Sequence, residues 1–468
     1  MLFSRRDLAK IILPLLLQQI LALAVGTVDS MMVAHAGEAA VSAVALVTSL
    51  DAVLIRVFNS LINGGAVVVA QTLGTKKPET ARDAAKQLFW STMAISVLLT
   101  VAVLLFRDPL LNAVFGDVEP DVMQHARGYF LFIVLSFPAT ALFNITDVLF
   151  RTMGDSMTSL VASLCMNVAH LGLNALLIVG FGMGAVGAGI STMVCRLLCS
   201  LVLTVLLHNP KHAVCFRNLL QYKPDFRIIR SILRIGIPNG VESGMVDVGR
   251  LILQALVAPM GTAVIAANSV ANTLVNYQYA AGYAYQNAAV TIVGRCIGAG
   301  EREQAKQYAK KLLLLNYITL WGVVVGSAFL ARNFIGAYEL SQEASETAYQ
   351  LILFHCVFAS VLWPLGFTMP VIFRAAGDVK VPLLVSTVAM WVLRVGLGSV
   401  FALPSFTVLG ITVPGLGLGV MGTWMGMTAD WILRAGVYAG HFLTDRWLPK
   451  HMRTSAMPAK DRPVCALK

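Results

Sequence analysis

Asp29 is the residue of this sequence that most demands a chemical task. It is flanked by Val28 on one side and Met31, Met32 and Val33 on the other, inside an apolar run. No basic residue lies three or four positions away to neutralise it. A carboxylate at the centre of a bilayer costs about 2.5–3.5 kcal/mol on insertion scales. Asp29 must therefore face protein or a water-filled cavity. There it serves either as a carrier of a proton or cation, or as a hydrogen-bond acceptor between helices. His170 and Asn174 are one helical turn apart and share a face. Thr192 follows the tight Gly184-Ala185-Val186-Gly187 turn. The four residues form a candidate ion-coupling cluster in the first half of the chain. Its histidine is of a type that titrates near neutral pH, and sodium is the alternative occupant. His170 reads equally well as an ordinary core histidine.

The remaining membrane-embedded polar residues divide into pairs and a cavity. Asp147 and Arg151, like Asp430 and Arg434, are spaced i,i+4 and can neutralise each other. Arg394 has no local partner, so one is expected from span seven or span twelve. Glu242 is the carrier candidate of the second half. Asn272, Asn276, Tyr279, Tyr283 and Gln286 make span eight polar over more than two turns, which lipid does not tolerate on every side. With Met32, Asp51 and Glu242 they are assigned to a substrate cavity, where aromatic faces can hold a cation. The competing reading of the tyrosines is an interfacial belt.

These residues need membrane-spanning elements to position them. Of 468 residues 57 % are hydrophobic and only 13 % charged, against about 25 % charged in soluble domains. Mean hydropathy is +0.75. Twelve stretches reach spanning length: about 11–35, 41–70, 87–107, 127–152, 157–181, 185–208, 232–258, 263–296, 309–331, 347–373, 381–403 and 418–443. The net charge of +11 does not mark a nucleic-acid partner, because the basic residues follow topology. They gather after spans two, six, eight and twelve, whereas Glu119, Asp121, Glu339, Glu343 and Glu346 occupy alternate loops. Positive loops stay in the cytoplasm, which places both termini there, in a plasma membrane. The seven cysteines form no CxxC pair and read as free thiols. No phosphate-binding loop, HExxH or nucleophile elbow is present, and no cofactor is implied. His441 and Asp445 are the nearest thing to a catalytic pair, and a spacing of four arises often by chance. The chain reads as a non-enzyme.

The chain also contains itself twice. Pro14 and Pro238 begin similar segments 224 positions apart, and the register holds for some seventy residues. Asn63 meets Asn287, Gly74 meets Gly298, and Glu79 meets Glu303. Phe150-Arg151-x-x-Gly154-Asp155 recurs as Phe373-Arg374-x-x-Gly377-Asp378, shifted by one. Gly184-x-x-Gly187 recurs as Gly419-x-x-Gly422, after about a dozen extra residues near Pro404–Leu416. Six spans per half give both copies one orientation, a parallel repeat about the membrane normal. The basic, apolar N-terminus has the look of a signal peptide, but its internal twin argues for a first span. The expected fold is an all-α polytopic membrane protein of twelve transmembrane helices in two six-helix lobes. The lobes cover 1–208 and 232–445, with a basic cytoplasmic linker at 209–231 carrying a short surface helix, and a basic cytoplasmic tail at 446–468.

Taken in order, the motifs resemble those of the multidrug and toxic compound extrusion family. They are Val28-Asp29-x-Met31-Met32-Val33, Gln71-x-x-Gly74, the two RxxGD loops, Gly187-Ala188-Gly189, Gly236-Ile237-Pro238 and Gly298-Ala299-Gly300. The resemblance runs from Pro14 to about Trp447. It implies two lobes around a central cleft and a monomer that exports organic cations or other xenobiotics against a proton or sodium gradient. In the branch it resembles, a first-helix Asp joins Asn, Asp and Thr from helices five and six. Asp29 and Thr192 match that pattern, whereas His170 stands where the Asn is usual and Asn174 where the Asp is usual. The alternative function is a lipid or lipid-linked saccharide flippase of a related fold, against which the absence of further spans weighs.

Overall fold

The computed structural model describes residues 2–116, 118–216, 219, 222–408 and 411–453. Twelve long helical elements follow one another along it. The first half holds α1 (Arg5–Ala34), α2 (Glu38–Gly74), α3 (Pro78–Leu105), α4 (Pro120–Leu135 and Phe137–Thr152), α5 (Ser156–Gly180) and α6 (Gly184–Leu207). The second half holds α7 (Phe226–Val257), α8 (Thr262–Gly298), α9 (Arg302–Gly336), α10 (Gln342–Ala375), α11 (Lys380–Ala402) and α12 (Val420–Leu443). Nine of these are long and apolar enough to cross a membrane when the bent α4 counts as one. α4 turns by 46° beside Pro138, which has no N–H to carry the ladder through the break. α7, α8 and α12 fall short in composition, not length, with 32, 37 and 24 residues. They carry the polar residues singled out above.

The helices overrun the apolar stretches. α2 has 37 residues, about 55 Å at 1.5 Å per residue, so its ends continue beyond a hydrocarbon layer of about 30 Å. The all-α expectation needs one amendment. The extra residues of the second half form a hairpin, β1 (Ser405–Val408) antiparallel to β2 (Ile411–Pro414).

The duplication is visible in backbone and side chains alike. Gly37 and Gly261 start α2 and α8 at φ 96° and 99°, and Gly154 and Gly377 turn the two RxxGD loops at φ 83° and 88°. In those loops Asp155 N–H donates to Phe150 O at 3.0 Å, and Asp378 N–H to Phe373 O at 2.9 Å. Gln18 Nε2 donates to Ser163 Oγ at 2.7 Å and joins α1 to α5. In the repeat register these positions become Glu242 and Ser386. There Ser386 Oγ donates to Glu242 Oε1 at 2.6 Å and joins α7 to α11.

By contacts the chain divides into two compact units, the first running to Gly240 and the second starting at Val241. The linker belongs with the first. Gln87 Nε2 and Trp90 Nε1 of α3 donate to Lys223 O and Leu219 O at 2.7 and 3.0 Å. Phe216 is buried against Phe89, with ring centroids 5.3 Å apart. The expected surface helix is not there among the described residues. Asn209-Pro210 and Lys223-Pro224 interrupt the segment, and its last residues, from Phe226, already belong to α7. Residues 454–468 of the expected tail lie outside the described part. Beside α12, Asp445 accepts from Arg302 at 2.6 Å and Lys306 at 2.9 Å. Burial alone would raise its pKa, but these two cations outweigh it and hold the carboxyl below its usual range.

The core of the second unit is aromatic. Tyr279 stacks on Trp363, with centroids 5.4 Å apart and planes 15° from parallel. Trp431, Phe367 and His355 close around them. Gly282 gives Trp363 its space, since a Cβ there would lie 1.9 Å from the indole. Gly282→Ala is therefore expected to overpack this core and cost about 1–3 kcal/mol. A lowered Tm of the purified variant is the check. An unchanged Tm would mean that the indole has room to move.

Candidate functional site

The first unit brings the four cluster residues together. α1 is tethered to α5 through Gln18, which Ser159 Oγ also meets at 3.4 Å, and Ser159 in turn bonds Asp147 of α4. α6 is held to α5 where Ser191 Oγ donates to His170 O at 3.2 Å. Within this frame Asn174 Nδ2 donates to Asp29 Oδ1. His170 Nδ1 lies 4.0 Å from the same carboxylate oxygen. On the far side of the ring, His170 Nε2 is 3.1 Å from Thr192 Oγ1.

The hydrogen-bond network assigns the tautomer. Thr192 has one hydroxyl proton, and it goes to Ala188 O at 2.9 Å. Thr192 therefore accepts from His170 Nε2–H. That leaves Nδ1 of the neutral ring as a bare lone pair facing Asp29. A proton arriving here finds a carboxylate and an imidazole nitrogen side by side. The Asp29 side chain retains 35 % exposure and that of His170 15 %, whereas Asn174 is fully buried. The acid thus has an open side and a fixed amide behind it. A π-helical turn, Ala175–Gly180, begins directly after Asn174. Such turns recur at functional sites because the extra residue re-aims side chains.

Arg196 is a member of this neighbourhood that sequence reasoning missed. Its Nη1 donates to Ser136 Oγ at 3.2 Å and to Thr140 Oγ1 at 3.1 Å. Its charge acts on His170 and on Asp51. The available signal was an arginine in an apolar span, one turn past Thr192. Asp51, assigned to the substrate cavity, instead sits 8 % exposed beside this field, and its Oδ1 has no hydrogen-bond partner among the described residues. Met32 is half-buried on α1, one turn after Asp29.

The second unit distributes its polar residues differently. Asn272, Asn276 and Tyr283 are exposed on α8 and Gln286 is half-buried. Asn272 Nδ2 turns back to Asn268 O at 2.7 Å. Tyr279 departs from the cavity assignment. It is 9 % exposed, its face is covered by Trp363, and its hydroxyl meets His355 Nε2 at 2.9 Å. No face is left to hold a cation. Glu242 is likewise no free carrier, since Arg374 Nη1 pairs with it at 2.8 Å and Ser386 at 2.6 Å. It occupies the structural position of Gln18. The expected pairs do form: Asp147–Arg151 at 2.8 Å, Asp430–Arg434 at 2.5 Å, and Arg394 to Asp430 of α12 at 3.5 Å. His441 and Asp445 go separate ways, His441 to Asp378 at 2.7 Å and Asp445 to Arg302 and Lys306.

A duplicated set of membrane-length helices, with an acid fixed inside one unit, defines a polytopic membrane transporter. The MatE family profile matches residues 14–176 and 238–400, two copies at the same offset of 224 that Pro14 and Pro238 set. The chain belongs to this family, the multidrug and toxic compound extrusion transporters. It is 23 % identical over 456 residues to the probable multidrug resistance protein NorM of Thermotoga maritima, covering 95 % of this chain and 93 % of that one. It is 24 % identical to the uncharacterised transporter YisQ of Bacillus subtilis, covering 94 % of each. Its fold matches a multidrug resistance MATE family transporter of the MOP superfamily, solved in an outward-facing conformation. There the TM-score is 0.82 at 19 % identity, over 94 % of both chains.

Proposed function

We propose that this protein is a secondary antiporter that exports amphipathic xenobiotics by alternating access, with residues 1–208 and 232–445 as its two lobes, and that protons entering at Asp29 drive it. One observation carries the reading: a half-exposed carboxylate within a membrane-length helix, backed by a buried amide and facing a bare imidazole nitrogen. The likeness to the probable multidrug resistance protein NorM of Thermotoga maritima supports the exporting role. The basic loops support a plasma-membrane protein with both termini in the cytoplasm.

The imidazole favours protons over sodium. Sodium is a hard cation that takes oxygen ligands, and this cluster offers a nitrogen where an oxygen would serve. The test is efflux of a fluorescent dye from proteoliposomes under separately imposed proton and sodium gradients. Efflux is expected with the proton gradient alone. Efflux that follows sodium at constant pH would overturn proton coupling and turn the Asp29 cluster into a sodium site.

A further inference from the structure

A single helix, α6, lies between the Asp29 cluster and the break in α4. α4 changes direction by 46° between Leu135 and Phe137. Ser136 stands at the turn and Thr140 one turn beyond it, and both are buried. Ser136 Oγ donates to Ile133 O at 2.7 Å, and Thr140 Oγ1 to Ser136 O at 2.9 Å. Each hydroxyl thus gives its one proton to the backbone of the break and keeps a lone pair. Arg196 of α6 meets both lone pairs with one nitrogen, Nη1, at 3.2 and 3.1 Å. It straddles the bend and ties its two sides together. Four residues earlier on the same face of α6, Thr192 accepts from His170. One helical turn therefore joins the imidazole to the strap across α4.

The strap is cationic, yet no carboxylate lies within ion-pair distance of it among the described residues. Neutral hydroxyls hold a guanidinium less firmly than a carboxylate does. The ionisable groups around it are Asp29 on α1, Asp51 on α2, His170 on α5, and Tyr129 and, further out, His125 on α4. A proton that settles on the Asp29 cluster removes one negative charge from this neighbourhood, whether the acid or the imidazole keeps it. On the imidazole it also sets two cations one helical turn apart. Either way the guanidinium is held less firmly, and the bend it ties is freed. The repeat shows that the strap accompanies the cluster. In the registers set by Pro14 and Gly184, Asp29, Thr192 and Arg196 become Leu253, Met427 and Trp431. The second unit lacks acid, threonine and arginine together, and Trp431 packs into its aromatic core instead.

We propose that Arg196 is a positioning residue that carries protonation of the Asp29 cluster to the break in α4, so that loading the proton releases the bend. The proposal rests on Asp29 as the proton site of the exporter. The test is hydrogen exchange of residues 130–145 in the purified full-length protein, at about pH 6 and about pH 8 and corrected for intrinsic rates. The wild type should exchange there about tenfold faster at the lower pH, the ratio that one charged hydrogen bond commands. Asp29→Asn mimics the protonated acid and should exchange fast at both. Arg196→Gln, and Ser136→Ala with Thr140→Val, should do the same, whereas Arg196→Lys should restore part of the pH dependence. A strap that only stabilised the fold would raise exchange in Arg196→Gln and leave the pH dependence intact. That result, a pH dependence that survives Asp29→Asn, or a wild type whose break ignores pH would overturn the coupling. Wild-type dye efflux under a proton gradient would then still support the exporter. A change at the break that needs Asp29 and Arg196, without gradient-driven efflux, would support the coupling and overturn the exporter.

Discussion

Replacing Asp29 by Asn is expected to reduce gradient-driven efflux to the level of protein-free vesicles while leaving insertion and folding intact. Asn is nearly isosteric with Asp, and its amide oxygen still accepts from Asn174 Nδ2, so α1 and α5 keep their contact. What disappears is the carboxylate that α1 presents beside His170. Removing a carboxylate from within a membrane-length helix also relieves an insertion cost of about 2.5–3.5 kcal/mol, so Tm should hold or rise. The check is paired: dye efflux under a proton gradient, and thermal unfolding of the same preparation. Normal efflux from the Asp29→Asn variant would remove Asp29 from the coupling step and return it to the role of a hydrogen-bond acceptor between helices.

The neighbours of Asp29 explain why the effect should be large. His170 is oriented by Thr192, which is itself committed to Ala188 O. Among the described residues, nothing in this arrangement offers a second carboxylate on the same proton path. Asp51 lies under the field of Arg196 rather than in contact with the cluster. A lone acid is either essential or idle, which makes its substitution decisive.

Much of this was legible in the sequence because it is periodic or repeated. The expected spans coincide with the twelve long helical elements, nine of which are long and apolar enough to cross a membrane, and the RxxGD twins located equivalent turns whose glycines adopt φ of 83° and 88°. Asp29 stood out because an acid among valines and methionines has no local remedy. His170 and Asn174 could be grouped by helical spacing, and Thr192 joined them from the start of span six. The misreadings have a common cause. Glu242 looked like a carrier because its partners, Arg374 and Ser386, lie 132 and 144 positions away. Tyr279 looked like a cavity residue because it shares a helical face with Asn272, Asn276 and Tyr283, and only packing reveals Trp363 lying across it. The repeat register held a correction for Glu242, since it equates Glu242 with Gln18, a residue with no proton to carry.

The same register shapes the expectation of largest effect on stability, at Asp430. This carboxylate is fully buried and serves two guanidiniums, Arg434 Nε at 2.5 Å and Arg394 Nη1 at 3.5 Å. Arg434 keeps Ser386 Oγ at 2.6 Å and Ser386 O at 3.2 Å as further acceptors, but neither is charged. Asp430→Ala would leave both arginines without a counter-ion, and breaking a buried pair from one side costs about 3–5 kcal/mol. A fall in Tm far beyond that of Gly282→Ala is the expected result. Replacing both members, Asp430→Leu with Arg434→Met, should recover only the share of the loss that Arg434 carries, because two apolar side chains need no counter-charge while Arg394 still lacks Asp430. The first half of the chain supports this asymmetry. Where Gly184 aligns with Gly419, Cys195 and Cys199 stand in the places of Asp430 and Arg434, so the repeat packs here without any ion pair. If Asp430→Ala alone proved neutral, Arg394 and Arg434 would have to be drawing their counter-charge from a source other than Asp430. If the double replacement were as damaging as the single one, the pair would be required as a pair, and its absence from the first half would mark a divergence of function rather than of packing.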